Sequence, residues 1–141
     1  MLDRCGARSA QDIAKATLLH DTSMGNYGLS LGWKDWFDRA GIKPPAQSGG
    51  LQFAGQAADQ AIDAAIAGGG IVLGRSLLVY DALRDGRLVC PFGPVLRTGV
   101  SYYVVCSKGR ECEPHIAQFL DWTSEEAELL TTMYALHDAP P

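Results

Sequence analysis

Residues 68–76 read GGGIVLGRS, the stretch of the sequence that most resembles a nucleotide site. The spacing of Gly69, Gly74, Arg75 and Ser76 matches the phosphate-binding loop GxxxxGK[ST], except that Arg75 replaces the lysine. In that loop a strand comes first, and backbone N–H groups then surround the phosphates. Here a helical pattern comes first and an apolar tripeptide lies inside the supposed loop. The sequence therefore predicts that the glycines end a helix and precede a strand, and that the stretch binds no nucleotide.

A metal site would have to come from Cys106, Cys112 and His115, the one group of possible ligands at close spacing. Structural zinc takes four ligands, often from CxxC pairs, and this group offers three ligands and no such pair. Cys5 and Cys90 lie far away in the sequence. We expect all four cysteines to be free thiols in a reducing compartment, with no metal and no cofactor.

The sequence lacks the local pattern that usually marks a catalytic nucleophile. Ser76 lies in GRSLL, not in a GxSxG turn, and His20, His115 and His137 are scattered along the chain. We therefore predict no catalytic residues and a protein that is not an enzyme.

Composition excludes several classes of partner. The 141 residues are 47% hydrophobic and 20% charged, with a net charge of −4 and no cluster of basic residues. Nucleic-acid binders carry such clusters, so no nucleic-acid site is expected on this chain. No apolar run approaches the roughly 20 residues of a membrane helix, and the first residues lack the apolar stretch of a signal peptide. These features predict a cytoplasmic globular protein that does not contact membranes.

Helices and short strands alternate along the chain. Periodicity and capping residues predict helices at 9–15, 33–40, 56–67, 76–84 and from 114, with a further helical tail at 124–137. Strands are predicted at 17–20, 51–53, 70–73, 87–90 and 101–106. This alternation favours an α/β fold with a mostly parallel sheet.

An aromatic stripe marks one helix face. Trp33, Trp36, Phe37 and Ala40 recur at i, i+3, i+4 and i+7, and Gly41 stands where helices commonly end. We interpret the stripe as core, in preference to a platform on which bases or sugars stack.

Four blocks of sequence, in this order and spacing, resemble the C-terminal part of LysR-type transcriptional regulators. The resemblance is to the subgroup of glycine-cleavage activators and β-lactamase regulators, and it covers residues 5–125. The blocks are RSAQDIAKATLLHD, GWKDWFDRAGI, LQFAGQAADQAIDAAIAGGGIVLGRSLLVYDALRDGRLVCPF and SYYVVCSKGRECEPHIAQFLDW.

The resemblance implies a type II periplasmic-binding-protein-like lobe, in which a mostly parallel sheet is flanked by helices. Residues 1–113 would form the second lobe of the effector-binding domain, and 114–141 the returning C-terminal helix and tail. The chain would be truncated, without the helix-turn-helix domain through which such regulators bind DNA and without most of the first lobe.

Effector contacts are carried over from the family only where positions match. They fall on Ala54, Gly55 and Gln56 in a strand-to-helix turn, on Leu73 after the next strand, and on Tyr102. The N–H groups at the start of a helix suit an anion, so the implied effector is a small anionic metabolite. For Gln56, an ordinary hydrated helix start explains the sequence equally well, and for Tyr102, packing within a strand does.

Two functions remain open. The first is the effector-sensing part of a LysR-type regulator, acting by ligand-dependent closure of two lobes. The alternative is a stand-alone module that forms homo-oligomers or docks onto a full-length regulator through the apolar face of Ile116, Phe119 and Leu120.

Overall fold

The computed structural model describes residues 9–22, 31–45, 50–54, 57–90, 93–99 and 101–135, with side chains as far as residue 132. The chain divides into two compact units, Met1–Thr98 and Gly99–Pro141. The elements are α1 (Ala10–Ile13), β1 (Leu18–Asp21), α2 (Trp33–Ala40), β2 (Gln52–Phe53), α3 (Ala58–Ile66), β3 (Ile71–Val72), α4 (Ser76–Arg84) and α5 (Pro114–Ala135). The predicted lobe boundary at residues 113 and 114 stays a prediction.

The three strands form one parallel sheet in the order β2-β1-β3. Leu18 lies opposite Ile71 in one pair of strands, and His20 lies opposite Gln52 in the other. Parallel strands need crossover connections, and here α2 joins β1 to β2 while α3 joins β2 to β3. The predicted α/β class with a parallel sheet is confirmed.

The aromatic stripe of α2 is the centre of the core, as predicted. Trp33 and Trp36 are 5% exposed and Phe37 is 1% exposed, and the three rings pack against one another with centroids 5.2 to 5.9 Å apart. The buried indole N–H of Trp33 donates to the Leu19 carbonyl at 2.9 Å, which satisfies this donor and ties the helix to the central strand. Ile13 and Leu18 complete this cluster.

The triple glycine ends α3 and starts β3. Gly68 has φ 84°, and the Gly69 N–H donates to the Ala64 carbonyl at 2.8 Å, which is the pattern of a Schellman end. Gly70 has φ 153°, and a Cβ there would collide with the carbonyl oxygen of Thr17, the residue that precedes β1. The glycines therefore follow a helix and precede a strand, as predicted, and this order is the reverse of a phosphate loop.

Two predicted strands do not form. In residues 87–90, the Leu88 N–H donates back to the Ala82 carbonyl of α4 at 2.9 Å, so this donor is unavailable to a sheet. Residues 101–106 have the composition of a strand but no strand partner in the described part of the chain, and their tyrosines and valines are exposed. β-propensity describes a fit to a half-buried sheet, and it produces no strand where that surface is missing.

In the second unit, α5 begins at Pro114 as predicted and continues for 22 residues, so the predicted helical tail belongs to the same helix. Its first turn follows Glu113, whose carbonyl accepts from the Ile116 N–H at 2.9 Å. The Arg110 guanidinium donates to the Glu113 carboxylate at 2.7 and 2.9 Å and lowers the pKa of that carboxyl. Within the described ranges, no helix has the length and apolar character needed to cross a membrane.

Candidate functional site

The carboxyl ends of all three strands lie at one edge of the sheet, because the strands are parallel. The strands end at Asp21, Phe53 and Val72. We call the residues at and just beyond these ends the carboxyl edge, and it comprises Asp21, Thr22, Ala54, Leu73, Gly74 and Arg75.

This edge contains the topological switch point of the sheet. The chain starts in the central strand β1, moves to β2 on one side, and then crosses to β3 on the other side. In open α/β sheets of this strand order, ligands bind outside the carboxyl ends of the strands, between the first and third strands.

An ion pair spans the switch point. Nη2 of Arg75 lies 3.2 Å from Oδ2 of Asp21, the last residue of β1. The Arg75 side chain is 32% exposed and that of Asp21 is 13% exposed, so the pair is partly accessible to solvent. A guanidinium can bind a carboxylate through two parallel hydrogen bonds, and a carboxylate can accept from a cation. The edge therefore offers one group of each charge.

The backbone positions Arg75. It is the residue before the first turn of α4, with φ −74° and ψ 131°. Gly74 precedes it, and a Cβ at Gly74 would collide with Cγ1 of Val79. The close approach of this loop to α4 thus requires glycine and brings Arg75 over the end of β1.

His20 and Thr22, the two neighbours of Asp21 in the sequence, differ in their hydrogen bonds. The backbone N–H and hydroxyl of Thr22 both donate to the Phe53 carbonyl, at 2.9 and 3.0 Å, which joins the ends of β1 and β2. Nε2 of His20 is buried and has no hydrogen-bond partner among the described residues.

The predicted effector contacts are distributed as follows. Ala54 directly follows β2 and is exposed, and Leu73 directly follows β3, with a half-buried side chain that packs against the core. These two residues share the carboxyl edge. Tyr102 belongs to the second unit and is 72% exposed. Gly55 and Gln56 lie outside the described residues, so the anion-binding turn predicted there stays a prediction.

Sequence reasoning missed Asp21 and Arg75 as site residues. Arg75 is named above only as a replacement for the lysine of a phosphate loop, and Asp21 is not singled out there. A signal existed, since each charged residue comes at or soon after the end of a short apolar strand. Their separation of 54 positions along the chain conceals that they form a pair.

For metals, the described part of the chain contains no group of three or more His, Cys, Asp or Glu side chains arranged to hold an ion. Cys106, Cys112 and His115 accordingly form no such group.

Comparison with known proteins identifies relatives along most of the chain. The family model described as the LysR substrate binding domain matches residues 2–128. The glycine cleavage system transcriptional activator of Escherichia coli (strain K12) is 31% identical over 120 residues, which are 85% of this chain and 37% of that protein. The HTH-type transcriptional regulator DsdC of the same strain is 31% identical over 119 residues, 83% of this chain and 37% of the relative. The HTH-type transcriptional regulator PerR is 28% identical over 130 residues, 89% and 42% of the two chains.

The chain spans less than half the length of each of these relatives. No solved structure matches it. The three relatives are transcriptional regulators by name, and the family model covers more than half of the chain. The parallel sheet with flanking helices is the type II periplasmic-binding-protein-like fold of that family. The chain therefore belongs to the LysR substrate-binding domain family of transcriptional regulators.

Proposed function

We propose that this chain is the effector-sensing lobe of a cytoplasmic LysR-type transcriptional regulator, and that its carboxyl edge binds a small metabolite through an anionic group. Family membership supports the sensing role. The observation that carries the binding site is the guanidinium of Arg75 at the switch point of a parallel sheet. An arginine there supplies the geometry that carboxylates require.

Sensing would work by a shift between two conformations. A ligand that contacts this lobe and a facing lobe binds the closed arrangement more tightly than the open one. The difference between the two binding free energies sets how far the equilibrium shifts toward the closed arrangement. On this lobe, we propose contacts of the effector with Ala54, Gly55, Gln56 and Leu73. The contact at Tyr102 is a separate proposal for the second unit. We propose no catalytic role for these residues.

DNA binding would belong to a helix-turn-helix domain, which is not among the elements of the described residues. The net charge of −4, without a basic cluster, agrees with a lobe that does not itself touch DNA.

The test is an NMR titration of the 141-residue chain, labelled with ¹⁵N, using lactate, succinate, benzoate and glycine as probes at constant ionic strength. Binding at the carboxyl edge shifts the amide signals of Thr22, Ala54, Leu73 and Gly74 in a saturable manner. Arg75→Gln removes the guanidinium and abolishes the shifts. Asp38→Asn is the matched control, because it breaks the exposed ion pair of Asp38 with Lys34 on α2 and leaves the edge intact.

Saturable shifts at the edge that are lost in Arg75→Gln and kept in Asp38→Asn support the proposal. If no carboxylate shifts these amides, or if Arg75→Gln binds as well as the original chain, the proposed site is wrong.

A second candidate function is self-association, or docking onto a full-length regulator, through α5. The side chains of Phe119 and Trp122 are 50% and 54% exposed, and their ring centroids lie 5.7 Å apart. Adjacent exposed aromatic rings of this size are typical of contact surfaces. Together with Ile116 and Leu120 they form an apolar face of the helix.

Size-exclusion chromatography with light scattering tests this candidate. Association through α5 predicts twice the chain mass of 15.1 kDa, a return to that mass in Phe119→Glu, and no change in Gln118→Glu on the same helix. A folded monomer across the concentration range contradicts self-association.

A further inference from the structure

We propose that the groove between α3 and α4 is a docking site for a basic amphipathic helix of a partner protein. We call it the α3–α4 groove, and its principal lining residues are Ile62, Ile66, Leu78, Ala82, Asp59 and Asp63. None of them belongs to the carboxyl edge, so a partner bound there is additional to the proposed effector.

The form of the groove suits a helix better than a small molecule. Its volume is about 260 Å³, below the ~300–1,000 Å³ of pockets that enclose small ligands. The two helices that form it have nine residues each, so the groove extends for about 13 Å, or two and a half helical turns. An open groove between two helices can take the apolar face of a third helix.

Apolar side chains in the groove are only partly covered. Leu78 is 38% exposed and Ile66 is half-buried, whereas Ile62 and Ala82 are buried. A leucine or isoleucine of a partner helix can cover Leu78 and Ile66. Removal of this apolar surface from water favours association.

Carboxylates accompany this apolar surface on α3. One face of the helix carries residues at the spacing i, i+3, i+4 and i+7, namely Asp59, Ile62, Asp63 and Ile66. Both aspartates are exposed, and neither forms an ion pair with another described residue. Helix α3 contains no basic residue of its own. Lysines or arginines at i and i+4 on a partner helix can therefore meet both carboxylates while apolar residues beside them enter the groove.

The remaining charges of the groove argue against other occupants. Asp81 also lines it and is held by Arg84 at 3.1 Å, and Arg87 is the one basic residue of the lining. With three carboxylates and one guanidinium in each groove, two copies of the chain would repel each other face to face. Within the described ranges, no three carboxylates, cysteines or histidines are arranged to hold a metal ion. The charges therefore favour a cationic partner.

Model peptides test the inference by NMR titration of the ¹⁵N-labelled 141-residue chain. The first is a blocked peptide of about 14 residues, KLAKLLKKLAKLLK, with a leucine stripe flanked by lysines. The second has glutamate in place of every lysine, and the third has the composition of the first in an order without the stripe. We expect the first to shift the amide signals of Ile62, Ile66, Leu78 and Ala82 in a saturable manner. The other two should bind at least about tenfold more weakly.

Variants separate the charged from the apolar contribution. Asp59→Asn combined with Asp63→Asn should weaken binding of the first peptide about five- to tenfold, the effect of two exposed ion pairs. Leu78→Gln should weaken it about three- to sevenfold, because the apolar cover of a partly exposed leucine is lost. Glu125→Gln combined with Glu126→Gln is the matched control. It removes the same net charge from α5 and should keep the affinity.

Several results would overturn the inference. They are equal affinity for the lysine and glutamate peptides, unchanged affinity in the double aspartate variant, and shifts confined to α5. Absence of any saturable shift also overturns it. Should the double aspartate variant fail to fold, as judged by circular dichroism, Asp63→Asn alone and Leu78→Gln provide the test, with a loss of about two- to threefold expected from the single charge. These outcomes do not depend on whether carboxylates bind at the carboxyl edge.

Discussion

Replacement of single glycines in the triple glycine tests the explanation of that motif. Gly68→Ala places a Cβ in open space, since no heavy atom lies within 4 Å, so its cost comes only from φ 84°. Gly70→Ala combines φ 153° with a collision against the Thr17 carbonyl and contacts of 3.2 Å with the Leu19 side chain. The same Thr17 carbonyl accepts the Ile71 N–H at 2.9 Å, so relief of the collision disturbs the pairing of β1 with β3.

The two costs differ in magnitude. A non-glycine residue in the left-handed region loses about 1–2 kcal/mol, and the reduced freedom of the unfolded chain returns about 0.4–1 kcal/mol. We therefore expect Gly68→Ala to lower the free energy of unfolding by about 1 kcal/mol. Overpacking adds a further ~1–3 kcal/mol at Gly70, so Gly70→Ala should cost about 3 kcal/mol.

Urea unfolding followed by far-UV circular dichroism measures both costs, from the shift in midpoint at constant slope. Gly86→Ala is the matched control. Gly86 follows α4 with φ 70° and also has open space around an added Cβ, so this variant should behave like Gly68→Ala. If Gly70→Ala is no more destabilising than these two, the close approach to β1 does not explain the glycine.

Three other predictions follow from the structure. Phe37→Ala removes a ring that is 1% exposed and packed against Trp36. It should lower the free energy of unfolding, measured in urea, by about 3–5 kcal/mol. A loss below about 1 kcal/mol contradicts the central place of Phe37 in the core. Arg110 lowers the pKa of Glu113 from its ordinary value of 4.5, so the stabilisation from this pair is present above that value and lost as the pH falls through the lowered pKa. An NMR titration should find a higher pKa for Glu113 in Arg110→Gln, and an unchanged value rejects this cause. Calorimetry with ATP and Mg²⁺ should show no saturable heat, whereas saturable binding would restore the phosphate-loop interpretation of GGGIVLGRS.

Local features of the sequence were sufficient to predict most helices and the class of fold. The apolar spacing of Trp33, Trp36 and Phe37 predicts which face of α2 is buried, and Gly41 predicts where that helix ends. Helix α4 has the predicted bounds, and the parallel sheet follows from alternating helices and strands. These features depend on neighbours within a few residues, so the sequence carries them without knowledge of distant contacts.

The tertiary structure decided which segments form strands and that Asp21 pairs with Arg75. Residues 101–106 have stronger strand composition than Ile71–Val72, yet only the latter pair forms a strand, because it lies beside β1 and can complete its backbone hydrogen bonds there. Asp21 and Arg75 are 54 residues apart and come together only because the strand order β2-β1-β3 places the ends of β1 and β3 side by side. By itself, the sequence determined the family, the α/β class and the core helix, while the pairing of strands decided which charges meet at the carboxyl edge.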